Sequence, residues 1–599
     1  MKKNLWKKSL ALLLAACVCA AALAGCAVQD TPAPSTAEGA ANAESSGAEY
    51  GDAISILLSD EDITVDGAPA GSEPAAVFLS RDIIYYEDRD TYESGNAYGE
   101  GEAWERHTAA EAAAHTVVNI TAPGTYRISG KLSAGQLRVD LGEAAFTDPS
   151  AVVTLVLDGA DITCTVAPAI LFLNVYECDN AWSAETAQST VDTSAAGANL
   201  IFAAGSTNVI SGSHVARIYK DTGEEKKLWK QDGAVYSYMS MNVDGSGTLE
   251  LFADNEGLDT ELHLTVNGGA LNIRSGNDGI NTNEDGVSVT TINGGAVHII
   301  AGLGAEGDGI DSNGWLVING GTVVASANPA ADAGLDSDMG SYVNGGTVVA
   351  LGSAMDWAES DSAQVTMNLQ FSGYKDSGDA IVVTREGTVV FAYDPSADEV
   401  LGENTRRYMG AIVSAPGFAV GDAYQVFIGG EVTGSETGGI YDPASVTDHT
   451  GGVLQCYTGT DVTMRPGMGG FGGQRPGGEW PEGEMPEGFD PENMPERPAD
   501  GLPEGFDPEN APQGGFGGKD GFGMGGQRPG SEPPEGFDPE NMPERPAGEF
   551  PENFDPENAP AVPEGEASQG GFDGMNGDAQ TVFYMQDKVN AFSGLSNAA

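Results

Sequence analysis

The chain has 599 residues and a formal net charge of −62, with 89 Asp and Glu against 27 Lys and Arg. This excess of acid argues against nucleic-acid binding, because a binder must neutralise phosphates with Lys and Arg. It also disfavours an anionic lipid or an acidic polysaccharide, unless a divalent cation stands between the two negative surfaces. Composition thus excludes one class of partner and makes another conditional on a metal ion.

Residues 1–25 are predicted to be a bacterial lipoprotein signal peptide. Four lysines precede an apolar run that ends in Leu23-Ala24-Gly25-Cys26. Small residues before a cysteine favour cleavage there and diacylation of Cys26, rather than retention of the run as a membrane helix. Because two acyl chains anchor stably, the predicted location is the extracellular face of the bacterial cell membrane. An Ala-, Ser-, Glu- and Pro-rich flexible tether is predicted over 26–52.

Three cysteines remain for the folded part, namely Cys164, Cys178 and Cys456. In an oxidising exterior, a Cys164–Cys178 bridge would close a short loop and contribute roughly 3 kcal/mol. Three buried, reduced thiols are the equal alternative, and the sequence leaves both open.

The folded part is predicted to be all-β. From residue 117 onward, short β-branched runs alternate with Gly, Asn and Asp, and no long helical period interrupts them. This pattern disfavours a βαβ fold. Residues 53–116, which include an Ala-rich helix near Ala109–His115, are interpreted as an N-terminal cap over the end of a sheet.

Internal repetition predicts a parallel β-helix over 117–355. Asn-Gly-Gly begins at 267, 293, 319 and 344, and a Gly-apolar-Asp/Asn motif precedes each copy. A period of two within each repeat, combined with spacings of 26, 26 and 25 residues between repeats, stacks equivalent positions on one another. Two aligned apolar columns are predicted to face inward: Leu271, Val297, Val323 and Val348, then Ile273, Ile299, Ala325 and Ala350. The column between them faces outward: Asn272, His298, Val324 and Val349.

Two polar insertions, 176–198 and 213–232, are too long to be turns of a regular coil and are predicted to project as loops. The second carries a basic and aromatic cluster that is unusual in an acidic protein: Lys220, Lys226, Lys227, Trp229 and Lys230. The simpler interpretation of this cluster is a solvated loop.

The C-terminal part is predicted to hold a small antiparallel β unit over 356–465. Residues 466–580 are rich in Gly, Pro and Glu, which predicts a disordered insertion. Residues 581–599 again resemble a strand and are predicted to return and pair with the small unit.

The turn acids of stacked coils should form rows. One row is Asp259, Asn281, Asp311 and Asp336, and the next is Glu256, Asp278 and Asp308. Two carboxylates about 5 Å apart repel by roughly 3 kcal/mol at an effective dielectric near 20. Calcium takes six to eight oxygen ligands and would offset this repulsion. Asp and Asn are also ordinary turn residues, and stacked Asn rows stabilise sheets without metal, so both interpretations stay open.

The repeats give little support for catalysis. A calcium-assisted lyase would need a base beside the metal, and the repeats contain only Arg274. A hydrolase would need a carboxylate pair at a defined separation, which abundant acids do not single out. His263 and His298 stand alone, which argues against a transition metal. A polysaccharide lyase and a structural adhesin or spacer remain the alternatives to non-catalytic binding.

Several motifs resemble the carbohydrate-binding domains of clostridial and related bacterial cell surfaces. They are Gly124-Thr-Tyr-Arg-Ile-Ser-Gly130, the run from Val153 to Ile162, Gly205-Ser-Thr-Asn208, and the Asp-Gly-Ile-Asn/Asp and Asn-Gly-Gly units from 278 to 346. The resemblance covers about 117–350. It implies a right-handed parallel β-helix with bound calcium and non-catalytic binding of a plant-type polysaccharide such as polygalacturonate or cellulose.

The resemblance also implies calcium ligands at the Asp-Gly-Ile turns. They are Asp278, Asn281, Asp308 and Asp311, with Asp336 in a departing repeat where Ala333 replaces the preceding acid. Trp315, which follows an acidic turn, and the outward-facing His298 are the candidate sugar contacts. A buried Trp that packs within a coil is the equal alternative for Trp315.

Overall fold

The computed structural model describes residues 50–87, 101, 105–181, 183–218, 229–353, 356–398, 400, 406–460 and 579–598. The predictions for the signal peptide, Cys26, nearly all of the tether and nearly all of the low-complexity segment lie outside these residues. Within them, the secondary structure is strand except for one short α-helix and two 3₁₀ turns, Glu143–Thr147 and Pro395–Ala397, which confirms the all-β prediction. No helix in this part of the chain is long and apolar enough to cross a membrane.

The N-terminal residues join the sheets of the main body. Their strands are β1 (Ile54–Leu58), β2 (Thr64–Val65), β3 (Ala68–Pro69) and β4 (Val77–Ser80). Helix α1 (Ala109–Ala114) begins at a capping box in which Thr108 and Glu111 bond each other's backbone, an arrangement worth about 1 kcal/mol. A short helix needs such a cap because it makes few internal hydrogen bonds.

The main body consists of short strands separated by tight turns. In chain order these are β5 (Thr116–Ile120), β6 (Gly124–Leu132), β7 (Gly135–Asp140), β8 (Val153–Thr163), β9 (Ile170–Asn174), β10 (Ala198–Phe202), β11 (Thr207–Gly212), β12 (Val215–Ile218), β13 (Trp229–Gln231), β14 (Gly233–Ser237), β15 (Met241–Gly245), β16 (Thr248–Ala253), β17 (Glu256–Thr260), β18 (Leu264–Val266), β19 (Ala270–Ser275), β20 (Ile280–Thr282), β21 (Val289–Ile292), β22 (Ala296–Ile300), β23 (Ile310–Ser312), β24 (Trp315–Ile318), β25 (Thr322–Ser326), β26 (Gly340–Val343) and β27 (Thr347–Gly352).

These strands form three stacks of parallel neighbours. The first runs β1, β6, β8, β10, β15, β18, β21, β24, β26. The second runs from β8 through β11, β16, β19, β22 and β25 to β27. The third runs β5, β7, β9, β14, β17, β20, β23. Successive repeats therefore contribute one strand to each stack.

The second stack aligns the two predicted apolar columns in register. Leu271 pairs with Val297, Val297 with Val323, and Val323 with Val348. Every member of both columns is fully buried, as the alternation predicted. Because side chains alternate across a strand, the residue between the columns points to the opposite face of this sheet.

Glycine in the Gly-apolar-Asp/Asn motif is required by close approach between repeats. A Cβ at Gly257 would lie 2.5 Å from the carbonyl oxygen of Gly279, and a Cβ at Gly279 would lie 2.6 Å from that of Gly309. In Asn-Gly-Gly, by contrast, the second glycine has a positive φ, +83° at Gly269 for example, which other residues rarely adopt. The first motif thus needs glycine because neighbouring backbones are close, and the second needs it because of its backbone conformation.

The C-terminal unit is mainly antiparallel. Its strands are β28 (Thr366–Lys375), β29 (Ile381–Arg385), β30 (Thr388–Tyr393), β31 (Tyr408–Ser414), β32 (Ala423–Ile428), β33 (Glu431–Thr433), β34 (Glu436–Thr437), β35 (Ile440–Tyr441), β36 (Asp448–Thr450), β37 (Val453–Cys456), β38 (Phe583–Tyr584) and β39 (Val589–Asn597). Strand β31 pairs with both β27 and β28, so the unit continues the second stack.

The outward face of the last repeats is covered by this unit. Val324 and Val349, from the outward column, pack in one core with Phe391 and Phe418 of the C-terminal strands. In this column Val324 and Val349 stand where the two preceding repeats have Asn272 and His298. The last repeats and the C-terminal unit therefore share one hydrophobic core.

The residues after the low-complexity segment pair with strands that precede it. Strand β39 lies parallel to β28 and antiparallel to β37, and β38 pairs with β32. Phe583 and Phe592 are buried against Tyr457, with ring centroids 5.0 and 4.8 Å from it. The chain therefore closes the small unit with its last described strand.

The three cysteines of the described part are free thiols. Cys164 is buried, and burial raises the pKa of Cys164 and of Cys178 to about 12. The Cys164–Cys178 bridge is therefore not formed. Thiols with such pKa values hold little thiolate and are unreactive.

Candidate cation site and carbohydrate surface

The predicted acidic rows lie on the third stack of strands. Register pairs Tyr236 with Asp259, Asp259 with Asn281, and Asn281 with Asp311. A neighbouring bridge between Ile310 and Leu335 brings the Asp336 turn onto the same stack. The row is fully buried at Asp259 and partly exposed at Asp311 and Asp336.

The buried end of the row forms a cluster of carboxylates. Oxygen atoms of Asp232, Glu256 and Asp259 all lie within 4.8 Å of one another. Gly233 makes room for this approach, since a Cβ there would lie 2.6 Å from the Cβ of Asp259. Asn281 closes the cluster by donating its amide to Glu256 Oε1 at 3.2 Å.

Three oxygen atoms in this cluster have no hydrogen-bond partner. They are Glu256 Oε2, Asp259 Oδ2 and Asn281 Oδ1, on side chains that are 5, 0 and 6 % exposed. A buried oxygen without a donor costs about 1–3 kcal/mol, and more when it is charged. A bound cation would satisfy all three atoms together.

The electrostatics of the cluster also favour a cation. Burial and the charge of Asp232 raise the pKa of Glu256, and burial and Glu256 raise the pKa of Asp259 well above its usual range. Both directions mean that the carboxylate charges are incompletely compensated by the chain. A divalent ion would favour the charged forms.

The second acidic group is Asp278, Asp308, Asp311 and Asp336. Two of its carboxylates accept backbone N–H groups, Asp278 from Asp308 at 2.7 Å and Asp308 from Ala333 at 2.6 Å. Burial and the neighbouring acids still raise the pKa of Asp278 and of Asp308 well above the usual range. These side chains therefore act both as turn acceptors and as an uncompensated cluster.

Lys230 is not part of a solvated loop, in contrast to the simpler interpretation of its insertion. Its Nζ lies 2.5 Å from Asp232 and donates to Asn283 Oδ1 at 2.9 Å, and its side chain is 16 % exposed. Burial lowers the pKa of Lys230, but Asp232, Glu256 and Asp259 outweigh this effect and raise it. Lys230 is therefore a buried ammonium at the edge of the carboxylate cluster.

The donor set suits a hard divalent cation. Carboxylate and amide oxygens are the ligands that calcium prefers, and no His or Cys belongs to the cluster of described residues. Glu256, Asp259 and Asn281 would hold the ion, with Asp232 beside them. Calcium bound there would cancel the repulsion between carboxylates of successive repeats.

The arrangement offers no evident base for proton abstraction. Lys230 is protonated and engaged with Asp232, and Arg274 is paired with Glu250 at 2.9 Å and lies over Phe252. Phe252, Arg274 and Glu250 belong to the second stack, whereas the acids follow the third. Both cations are therefore held by carboxylates, Lys230 by Asp232 and Arg274 by Glu250.

The structure places the two predicted sugar contacts differently. His298 is 5 % exposed, and its Nδ1 lies 3.3 Å from Asp398 of the C-terminal unit. Gly438 of that unit packs so closely on the ring that a Cβ there would overlap it. The expectation that His298 faces a glycan is therefore wrong, because the covering unit occupies that surface.

Trp315 is partly exposed on β24, between Val289 and Gly340 of the adjacent strands.

Sequence reasoning missed three members of the site, Lys230, Asp232 and Asn283. Asn283 donates to Asp259 Oδ1 at 2.6 Å and thereby links it to Lys230. The available signal was the Lys-Gln-Asp run that directly precedes β14, the strand that stacks on Asp259. That signal was obscured because Lys230 follows a group of other basic residues.

Comparison with known proteins points to carbohydrate. A family model described as a carbohydrate-binding domain-containing protein matches residues 114–404, just under half of the chain. The match supports a carbohydrate-related role for this region. No curated protein matches the sequence. A solved structure of a polysaccharide lyase-like protein from C. thermocellum shares 20% identity over 49% of this chain and 92% of its own, with a TM-score of 0.26. That score is too low to relate the two folds.

Proposed function

We propose that this protein is a lipid-anchored, cell-surface lipoprotein that binds polysaccharide without cleaving it. In this proposal the three stacks wind as a right-handed parallel β-helix, and calcium holds its repeats together along the acidic rows. Cys26 carries the lipid and places the molecule on the extracellular face of the membrane. The ligand class is plant-type polysaccharide such as polygalacturonate or cellulose.

The observation that carries the cation part is the set of three buried oxygens without donors at Glu256, Asp259 and Asn281. Other acids of these rows accept backbone N–H groups, as Asp308 does from Ala333 of the next repeat. These three atoms have no such bond, and they belong to side chains of two successive repeats. Buried oxygens without donors support the calcium interpretation over the turn interpretation.

The glycan surface is proposed near Trp315 and not at the buried cluster. Asp259 is fully buried, so an ion held there cannot touch a sugar carboxylate. Its role would be to fix the stacking of the repeats. Trp315 is partly exposed beside Met339, which is 40 % exposed, and aromatic faces are suited to stacking on sugar rings.

The test is binding of the full chain to immobilised polygalacturonate and cellulose, with calcium or with a chelator. We expect retention on at least one glycan, weakened about tenfold or more by Trp315→Ala, equivalent to about 1.4 kcal/mol. Tyr584→Ala is the matched control, because Tyr584 is an aromatic residue that is 49 % exposed on β38 of the C-terminal unit, and this variant should bind normally.

The same incubations separate the rival functions. Steady formation of unsaturated product, followed by ultraviolet absorbance, would identify a lyase and overturn the non-catalytic proposal. Absence of retention on every glycan, with and without chelator, would favour a structural adhesin or spacer. Retention without product is the outcome that supports binding.

A further inference from the structure

Lys230 enters the acidic cluster from outside the repeat pattern. It lies on β13, which pairs antiparallel with β12 across the 213–232 insertion. Only Gln231 and Asp232 separate it from β14, whose Tyr236 pairs with Asp259. No counterpart of Lys230 stands before β17, β20 or β23 in the later repeats. The insertion therefore brings one cation to one end of the acidic row.

The ammonium of Lys230 contacts oxygen atoms at the acidic cluster, as a bound metal ion would. Its Nζ touches a carboxylate oxygen of Asp232 and the amide oxygen of Asn283, and Asn283 in turn donates to Asp259. Tyr238 donates its hydroxyl to the backbone carbonyl of Lys230 at 3.2 Å and fixes the segment. These contacts hold the ammonium between Asp232, which precedes β14, and Asn283, which follows β20.

The position of Lys230 determines the charge balance of the carboxylate cluster. When all three are ionised, Asp232, Glu256 and Asp259 carry three negative charges within one cluster. The ammonium of Lys230 and one divalent ion on the unpartnered oxygens of Glu256, Asp259 and Asn281 would together cancel them. Without Lys230, one divalent ion would leave a net negative charge, and the contacts of the ammonium with Asp232 and Asn283 would be lost.

We infer that Lys230 is a built-in cation that occupies a latent second divalent-cation site, formed by Asp232, Asn283 and Asp259. The chain fills this position itself and so limits the buried cluster to one exogenous ion. The inference rests on the proposed cation site for its stoichiometry, but the geometry of Lys230 is independent of any bound metal.

The test compares Lys230→Met with the wild-type full chain. Methionine keeps most of the side-chain volume and removes the charge. We expect Lys230→Met to bind one more calcium ion per chain by equilibrium dialysis, and its calcium-induced rise in melting temperature to exceed that of the wild type. Lys230→Arg should keep the wild-type stoichiometry. Lys131→Met removes a more exposed ammonium paired with Asp161 and serves as the control.

A second variant keeps the test decisive if Lys230→Met unfolds in chelator. Asp232→Asn added to Lys230→Met removes the matching negative charge, so the double variant should fold in chelator and bind no additional ion. Failure of the double variant to recover, with no gain of calcium response in Lys230→Met, would show that Lys230 acts through packing and overturn the inference.

The wild-type response separates the two proposals. If the wild type ignores calcium but Lys230→Met acquires a response, the cation part of the proposed function fails and the inference about Lys230 stands. If the wild type responds and Lys230→Met responds equally with equal stoichiometry, the inference alone is overturned.

Discussion

Glu256 is the residue at which a mutation should have opposite effects on thermal stability with and without calcium. One of its oxygens is buried without a donor, and its neighbours are acids. We expect Glu256→Gln to raise the melting temperature in chelator, because a poorly compensated buried charge is removed. The same change should reduce the calcium-induced rise by at least half.

Thermal melts of the full chain with and without calcium measure both effects. Glu250→Gln is the control, since Glu250 pairs with Arg274 on another stack and should leave the calcium response unchanged. An unchanged calcium response in Glu256→Gln would contradict the proposed ligand set.

His214 gives a second residue-scale prediction, for pH. Its ring is buried and hydrogen-bonded to Asp254 at 3.1 Å and to Glu105 at 3.0 Å, with His107 and Asp232 also nearby. Burial lowers the pKa of His214, but the bonds to Asp254 and Glu105 outweigh burial and raise it to about 10. A raised folded pKa gives stability that is complete below about 6.5, the unfolded value, and is lost as pH rises toward 10.

Urea unfolding across this pH range measures the loss. We expect His214→Gln to be less stable than the wild type at neutral pH and to lose less stability as pH rises from about 6.5 to about 10. His449→Gln, in the C-terminal unit, should keep the wild-type slope. If the free energy of unfolding falls equally with rising pH in His214→Gln and in the wild type, His214 is not the group responsible for the loss.

The sequence predicted part of the site because part of it repeats. Asp259 and Asn281 occupy equivalent positions, so alignment alone placed them in one row. Lys230 and Asp232 belong to an insertion, and its path back to the row is a tertiary property that no periodicity encodes. His298 was wrongly placed because an outward-facing residue was equated with a solvent-exposed one.

Gly279 gives the prediction at the scale of the repeated element. A Cβ there would lie 2.6 Å from the carbonyl oxygen of Gly309, which is backbone and cannot move aside easily. We expect Gly279→Ala to destabilise the protein by about 1–3 kcal/mol, as overpacking commonly does. The spacing between Asp278 and Asp308 should change with it and weaken the calcium response.

Chemical denaturation and calcium-dependent melts report the two consequences of Gly279→Ala. Gly373→Ala, on β28, is the matched control, because nothing lies within 4 Å of its added Cβ. Similar unfolding curves for Gly279→Ala and Gly373→Ala would show that the repeats are less closely stacked than the structure indicates.

The stacked strands were the most predictable element, and the C-terminal unit was less so. Period-two alternation in every repeat identified the inward columns, all of which are buried. The sequence does indicate that the last repeats are covered, because the outward column changes from Asn272 to Val324 and Val349. The sequence-based prediction did not use this change. A polar-to-apolar change on an outer face marks the place where another layer packs.

At the scale of the whole molecule, described residues on the two sides of the low-complexity segment are adjacent. Tyr457 and Gln580 exchange backbone hydrogen bonds of 2.9 and 3.0 Å. We expect replacement of residues 462–578 by a short Gly-Ser linker to leave the fold and glycan retention intact. Closing a shorter flexible loop is favourable by roughly 2 to 3 kcal/mol, so stability should be equal or higher.

Melting temperature and glycan retention of the shortened chain measure this. A matched deletion that also removes 579–598 should be markedly less stable, because it takes away β38 and β39. Loss of glycan retention with an unchanged melting temperature would instead assign the ligand contact to the removed segment.

The pairing of β39 with β28 also fixes the order in which the molecule can be completed. Asn590 donates to the carbonyl of Thr366, 224 residues apart in the chain. One edge of β28 therefore stays open throughout synthesis until residues 589–597 have left the ribosome. An open strand edge is a template for other chains, so truncated or incompletely synthesised copies of this protein would be the ones that aggregate.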